Sequence, residues 1–304
     1  MKKNGKVLMA AALAGTVGGA GAGMVSTPMS LDDYLALNGP APAAHIAYGA
    51  APSQFAELFL PAGEGRHPLA VLIHGGCWTQ AFGGITQMRS MAGALIAQGI
   101  AVWNIEYRRY DEPGGGYPGM YQDVASAIDG LRGLESPLRQ RLDLERLVLV
   151  GHSAGGHLAQ WAAARARLPR SSPLYVADPL LAQVVISLGG LADLRNEAAL
   201  IASSCQRCTE QLAGQPSAER PDVFADTSPA EMLPLGVRTV LIHGELDTIS
   251  PPRVGQDYAR RAQAAGDGAE VIVLPGASHY DEVAASSPAW HIVSAQIRQA
   301  LGMQ

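Results

Sequence analysis

Short apolar runs rich in β-branched residues recur along the chain at 69–73, 100–105, 146–150, 183–188, 237–243 and 270–274. Their length and continuity fit strands buried on both faces. Between most of them, residues 88–97, 121–131, 154–166, 254–265 and 289–301 place apolar side chains three and four apart with polar ones opposite, which is the helical repeat. Strands alternating with helices predict an α/β fold: one doubly wound, mostly parallel sheet with helices on both faces. Two earlier runs, 45–49 and 55–60, read as an antiparallel entry to that sheet. From 191 to 234 the periodicity weakens while Pro, Ser, Gly and Cys accumulate, so this stretch is expected to be a cap-like insertion shaped by function.

Composition alters this picture at one end. All the lysines fall in the first six residues (Lys2, Lys3, Lys6), ahead of an uncharged Ala/Gly/Val-rich run at 7–22 that closes in Ala20-Gly21-Ala22. Basic, apolar and small-residue regions in that order predict a signal peptide over 1–22. The run is short and diluted by glycine, so stable membrane insertion after cleavage is not expected. Residues 23–43 then form a lead-in, and 44–304 the folded domain. The expected location is periplasmic or extracellular. A formal charge of −5 over 304 residues, made more acidic by loss of the leader, gives no reason to expect nucleic acid as a partner.

The three cysteines gain meaning from export. Cys205 and Cys208, separated by two residues, are expected to close a small disulfide loop in an oxidising compartment, leaving Cys77 as an odd thiol.

The sharpest chemical signal is Leu147-Val148-Leu149-Val150-Gly151-His152-Ser153-Ala154-Gly155-Gly156-His157. A buried strand runs into G-x-S-x-G and then into a helix, the pattern of a nucleophile elbow that presents Ser153 at a helix N-terminus. A serine hydroxyl needs a base, and the base needs an acid to orient it, in the order Ser, Asp or Glu, His. His279, in a loop after the last strand, is the candidate base; His243 and His291 sit less suitably at a strand end and inside a helix. Asp247, just beyond the 237–243 strand, is the candidate acid, with Glu245 as its competitor. An oxyanion needs donors, and the amides of Gly75, Gly76 and Ala154 are placed to supply them. No metal site is expected, because His152 and His157 lie five apart and no carboxylate cluster accompanies them. Trp78 is the candidate substrate contact, with Tyr107, Tyr110, Tyr117 and the 191–234 insertion as further pocket candidates.

With these residues in place, the chain from about 44 to 302 resembles the α/β-hydrolase fold. Within it, the chain is similar to the esterase group of arylformamidases (kynurenine formamidases) and bacterial feruloyl and acetylxylan esterases, and more distantly to hormone-sensitive-lipase relatives. The resemblance rests on His74-Gly75-Gly76-Cys77-Trp78 and on Gly151 to His157, supported by Glu106-Tyr107-Arg108, Tyr117-Pro118 and Asp123. It implies a triad of Ser153, Asp247 and His279, with Tyr107, Arg108 and Asp123 bracing loops. Cys77 departs from the group's pattern, which has glycine or an aromatic there. The expected function is a secreted serine carboxylesterase acting on small to medium esters through an acyl-enzyme on Ser153, without a cofactor. The alternatives are arylformamidase, which the leader disfavours, a peptidase related to prolyl oligopeptidases, and a non-catalytic binding protein.

Overall fold

The computed structural model describes residues 27–207 and 209–304; the expected signal peptide and Cys208 lie outside the described residues. The apolar runs form strands β1 (Ala44–Ala47), β2 (Phe55–Phe59), β3 (His67–Ile73), β4 (Ala101–Ile105), β5 (Leu142–His152), β6 (Val184–Leu188), β7 (Arg238–Gly244) and β8 (Ala269–Leu274). They make one sheet in the order β1-β2-β4-β3-β5-β6-β7-β8. The β1–β2 and β2–β4 pairs are antiparallel and all the others parallel, as the entry strands and the continuous apolar runs predict.

Successive side chains of a strand point to opposite faces, and the central strands use both. Leu69, Val71, Ile73, Leu147 and Leu149 face a layer made by α3 (Gly119–Asp129) and α5 (Ala154–Ala164). Ala70, Leu72, Val148 and Val150 face the other layer, made by α2 (Arg89–Ile96), α9 (Trp290–Ala300) and Tyr34 of the short α1 (Leu31–Leu35). A third cluster packs α8 (Pro252–Ala264) on Leu241 through Tyr258 and Ala262. The remaining helices are α4 (Ser136–Arg139), α6 (Ala198–Cys205) and α7 (Thr209–Ala213), the last two within the expected insertion. No helix among the described residues is long and apolar enough to cross a membrane.

The chain passes from β3 to β4 on one side and returns to β5 on the other, so the loops after β3 and β5 open a crevice at the C-terminal edge of the sheet. Open α/β sheets hold their ligands at such a reversal.

One expectation fails here. Cys205 is bonded to Cys77, with 5.3 Å between their Cα atoms, and not to Cys208, so Cys77 is no odd thiol. The reason is directional: Cys205 is the last residue of α6, and that helix turns it inward, where it is 1% exposed, onto the loop that follows β3. Closeness in sequence gave no measure of this contact, which joins residues 128 apart.

Candidate active site

Ser153 stands between β5 and α5 with φ 54° and ψ −118°, a conformation that non-glycine residues enter only when their surroundings impose it. The glycines beside it permit the turn. A β-carbon on Gly151 would lie 2.0 Å from the Gly155 carbonyl oxygen, and one on Gly155 would lie 2.1 Å from that of Ile73. Ala154 opens α5, where helix geometry leaves amides without intrahelical partners.

The candidate base and acid arrive from the ends of neighbouring strands. His279, in the loop after β8, donates from Nδ1 to Asp247 Oδ2 at 2.7 Å, leaving Nε2 as the free ring nitrogen. Asp247 Oδ1 accepts the amides of Ile249 and Ser250, each at 2.8 Å. Burial works to raise the Asp247 carboxyl, yet the imidazole and these donors together hold it below the usual carboxylate range. The competitor Glu245 is exposed and accepts the Gly276 amide instead. His243 is buried against the Ser250 carbonyl, and His291 is exposed on α9. The carbonyl of His279 is itself anchored, accepting from His152 Nε2 at 3.0 Å.

The third part is the loop His74 to Trp78. Gly75 packs so tightly on the elbow that a β-carbon there would lie 2.8 Å from His152 Nδ1 and 3.0 Å from Ser153 Cβ. Gly76, Cys77 and Trp78 all have positive φ (105°, 50° and 56°), so three successive amides are turned by backbone that only one glycine accommodates freely. Buried side chains hold this shape. His74 Nε2 meets Glu106 Oε1 at 2.8 Å, Arg109 meets the same carboxylate at 3.0 Å, and Tyr107 stacks on the His74 ring while donating to the His74 carbonyl. Burial opposes a charge on Glu106, but His74 and Arg109 overcome it and hold the carboxyl at about 2. Arg108 and Asp123 form a two-pronged ion pair at 2.8 and 2.7 Å. These contacts agree with bracing roles for Tyr107, Arg108 and Asp123, and they add Glu106 and Arg109.

Ser153, His279 and Gly76 line one pocket, together with Leu31, Tyr34, Phe82, Ser204, Ile249 and Tyr280. Trp78 is not among its walls. Expected to touch substrate, it is fully buried and packs edge-on against His157, on a backbone of positive φ. Tyr107 is buried under His74, Tyr110 carries the Arg207 guanidinium, and Tyr117 carries that of Arg220 away from Ser153. Two of the walls that sequence reasoning missed, Leu31 and Tyr34, come from the lead-in. Tyr34 stacks on Tyr280 with ring centroids 5.3 Å apart, while the Met29 amide donates to Asp281. A signal was present: Ser30 and Asp33 form a capping box at the start of α1.

His152, His279 and Glu282 bring ligand-type atoms within 4.8 Å of one another. His279 Nδ1 is held by Asp247 and His152 Nε2 by the His279 carbonyl, so the group is first a hydrogen-bonded cluster.

The buried imidazoles make a prediction about stability. Burial pushes His152 down to about 3 and His157 down to about 4. Both fold neutral, and the unfolded chain recovers the ordinary value near 6.5. Their contribution is therefore complete above pH 6.5 and is lost as pH falls, since only the unfolded state then takes up protons. The expected loss at pH 5 is on the order of 2 kcal/mol per histidine. The melting temperature is expected to fall between pH 7 and pH 5, and His157→Gln to flatten the slope; a parental slope in that variant contradicts the assignment.

The BD-FAE family model matches residues 56–261, which takes in the elbow, the loop after β3 and Asp247. The chain belongs to the BD-FAE family. This is an esterase family, and the BD-FAE chain is 26% identical over 247 residues to the probable isoprenylcysteine alpha-carbonyl methylesterase ICMEL2 of Arabidopsis thaliana. That match covers 78% of this chain and 56% of the plant protein, so the chain spans little more than half of its relative. The fold is shared with esterase B from Lactobacillus rhamnosis, solved with a tributyrin phosphonate (TM-score 0.72, 20% identity, 87% of each chain). It is shared as well with a truncated carbohydrate esterase from gut microbiota (TM-score 0.71, 20% identity, 86% of this chain and all of that one). The eight-stranded BD-FAE sheet is thus that of an α/β-hydrolase.

Proposed function

We propose that the protein is an exported serine carboxylesterase that cleaves short-chain esters through an acyl-enzyme on Ser153. The observation that carries this reading is that Ser153 and the Asp247-bound His279 open onto one cavity with Gly76. Ser153 Oγ attacks the ester carbonyl carbon as His279 Nε2 takes its proton. The negative oxygen turns towards the amides of Gly75, Gly76 and Ala154. His279 then returns the proton to the leaving alkoxide. Water then attacks the acyl carbon as His279 takes its proton, and the ring returns that proton to Ser153 Oγ as the bond to the acyl group breaks and the acid leaves. Asp247 keeps the imidazole in the tautomer whose Nε2 accepts, and it balances the imidazolium as that forms.

The walls support the acyl class, since Leu31, Phe82 and Ile249 bring apolar side chains to the pocket that holds Ser153 and His279. Export is supported by the order of residues in 1–22 and by a buried disulfide, which suits an oxidising compartment.

A series of p-nitrophenyl esters tests the reading. The acetate and butyrate are expected to exceed the decanoate in kcat/KM by about tenfold or more, since extra methylenes must displace packed side chains. Phe82→Ala, which removes a wall, should narrow that ratio. A preference that climbs steadily towards the decanoate contradicts the short-acyl proposal, and N-formylkynurenine outrunning every ester would favour the formamidase alternative.

A further inference from the structure

Glu282 is a buried acid that the triad chemistry leaves unused. It lies three residues after His279 and is fully buried. Oε1 accepts the Gly244 amide at 2.6 Å, where β7 gives way to the loop that carries Asp247. Oε2 is buried without a donor. It lies against the imidazole: a β-carbon on Gly189 would stand 2.6 Å from Glu282 Oε2 and 2.8 Å from both Cε1 and Nδ1 of His279. Asp247 Oδ2 accepts from that same Nδ1, so the two carboxyl groups converge on one edge of the ring.

Two carboxyl groups in contact inside a protein do not both ionise cheaply; one keeps a proton and donates it to the other. The donors already present decide which. Asp247 receives three, from His279, Ile249 and Ser250, whereas Glu282 receives only the Gly244 amide. The other titratable groups around Glu282 do not reverse this. Burial, Asp247 and Asp281 push its carboxyl well above the ordinary range, and His152 is neutral through its own burial. The oxygen without a donor is then explained as a donor itself.

We propose that Glu282 is a positioning residue of the triad, a protonated carboxylic acid whose Oε2–H donates to Asp247 while its side chain backs the edge of the His279 ring. The inference rests on the reading of Ser153, His279 and Asp247 as the catalytic set. With Glu282 neutral, the set carries a single negative charge, and Asp247 gains a further donor beside its backbone ones. The imidazole therefore holds its line towards Ser153 as it gains and loses a proton.

The test compares Glu282→Gln, Glu282→Leu and Ser153→Ala, measuring kcat and KM on p-nitrophenyl acetate and the melting temperature from pH 4 to 9. Glutamine keeps an acceptor for Gly244 and a donor for Asp247, so its kcat should stay within about threefold of the parent. Leucine fills the space without a donor; kcat should fall about 10- to 100-fold with KM nearly unchanged, the size expected for a misaligned reacting group. The stability arm has a sign of its own. A carboxyl raised on folding costs stability as pH rises above its unfolded value, near 4.5, so Glu282→Gln should match the parent near pH 4 and melt progressively higher above it. If glutamine loses as much kcat as leucine, the residue works as a carboxylate and the proposal fails. A folded leucine variant with parental kcat also overturns it, as does a glutamine variant whose melting difference does not grow with pH. Should leucine not fold, the two glutamine readouts decide alone. Retained activity in Ser153→Ala would sink the triad reading itself, a different failure, and the pH-dependent melting difference would still report whether Glu282 holds a proton.

Discussion

Replacing Ser153 with alanine is expected to lower kcat/KM for p-nitrophenyl acetate by about four to six orders of magnitude, the range in which loss of a triad nucleophile falls. The fold should survive. Ser153 is 2% exposed, and its strained backbone is imposed by Gly151 and Gly155 and by the amide bond of Ser153 to the Leu188 carbonyl at 2.7 Å. None of these needs the hydroxyl, so the melting temperature should change little. The small activity that remains should come from the amides of Gly75, Gly76 and Ala154, which still bind a developing oxyanion. A variant with a tenth or more of the parental rate is incompatible with Ser153 as the attacking group.

The second large effect is on stability. The Cys77–Cys205 bond closes a loop of 128 residues, and the chain-entropy argument assigns a loop of that size about 5 kcal/mol. Reduction, or Cys77→Ser with Cys205→Ser, is expected to lower the melting temperature by about 10 °C. Cys208→Ser should leave it in place. Peptide mapping without reduction should recover the Cys77 peptide joined to the Cys205 peptide. A stabilising bond between Cys205 and Cys208 would reverse these outcomes: reduction would have a small effect, and Cys208→Ser would match Cys205→Ser. The bond also reaches the site, because Cys77 adjoins Gly76 in backbone of positive φ. Activity after reduction should therefore fall well before the protein unfolds.

What the sequence disclosed and what it withheld differ in range. The elbow at Ser153 was legible because it needs only a local arrangement: strand, two close-packed glycines and helix follow one another within a short stretch. Asp247 and His279 were legible because each ends an apolar run, and the parallel sheet brings those ends together. The start of β5 was not, because Asp143 and Glu145 interrupt the apolar pattern where the strand is only partly buried. The disulfide was misassigned because the spacing of Cys205 and Cys208 says nothing of the direction in which α6 turns Cys205. Trp78 was misplaced for a similar reason, since no local pattern shows that the loop after β3 sets its ring in the core against His157. Leu31 and Tyr34 reach the cavity only because the lead-in folds back across His152 and Tyr280, a contact between distant segments that no local pattern encodes. Glu282 reads as an ordinary loop acid until the structure buries it beside Asp247.

The central claim is that Ser153 Oγ forms the covalent intermediate, and trapping it is the most direct measurement. Incubation with a p-nitrophenyl alkylphosphonate should release one equivalent of p-nitrophenol, add the phosphonyl mass once, and place it on the peptide carrying Ser153. His279→Ala should slow that labelling greatly, and Ser153→Ala should abolish it. Full labelling on any other residue, or hydrolysis that continues undiminished once Ser153 is modified, would contradict the acyl-enzyme mechanism.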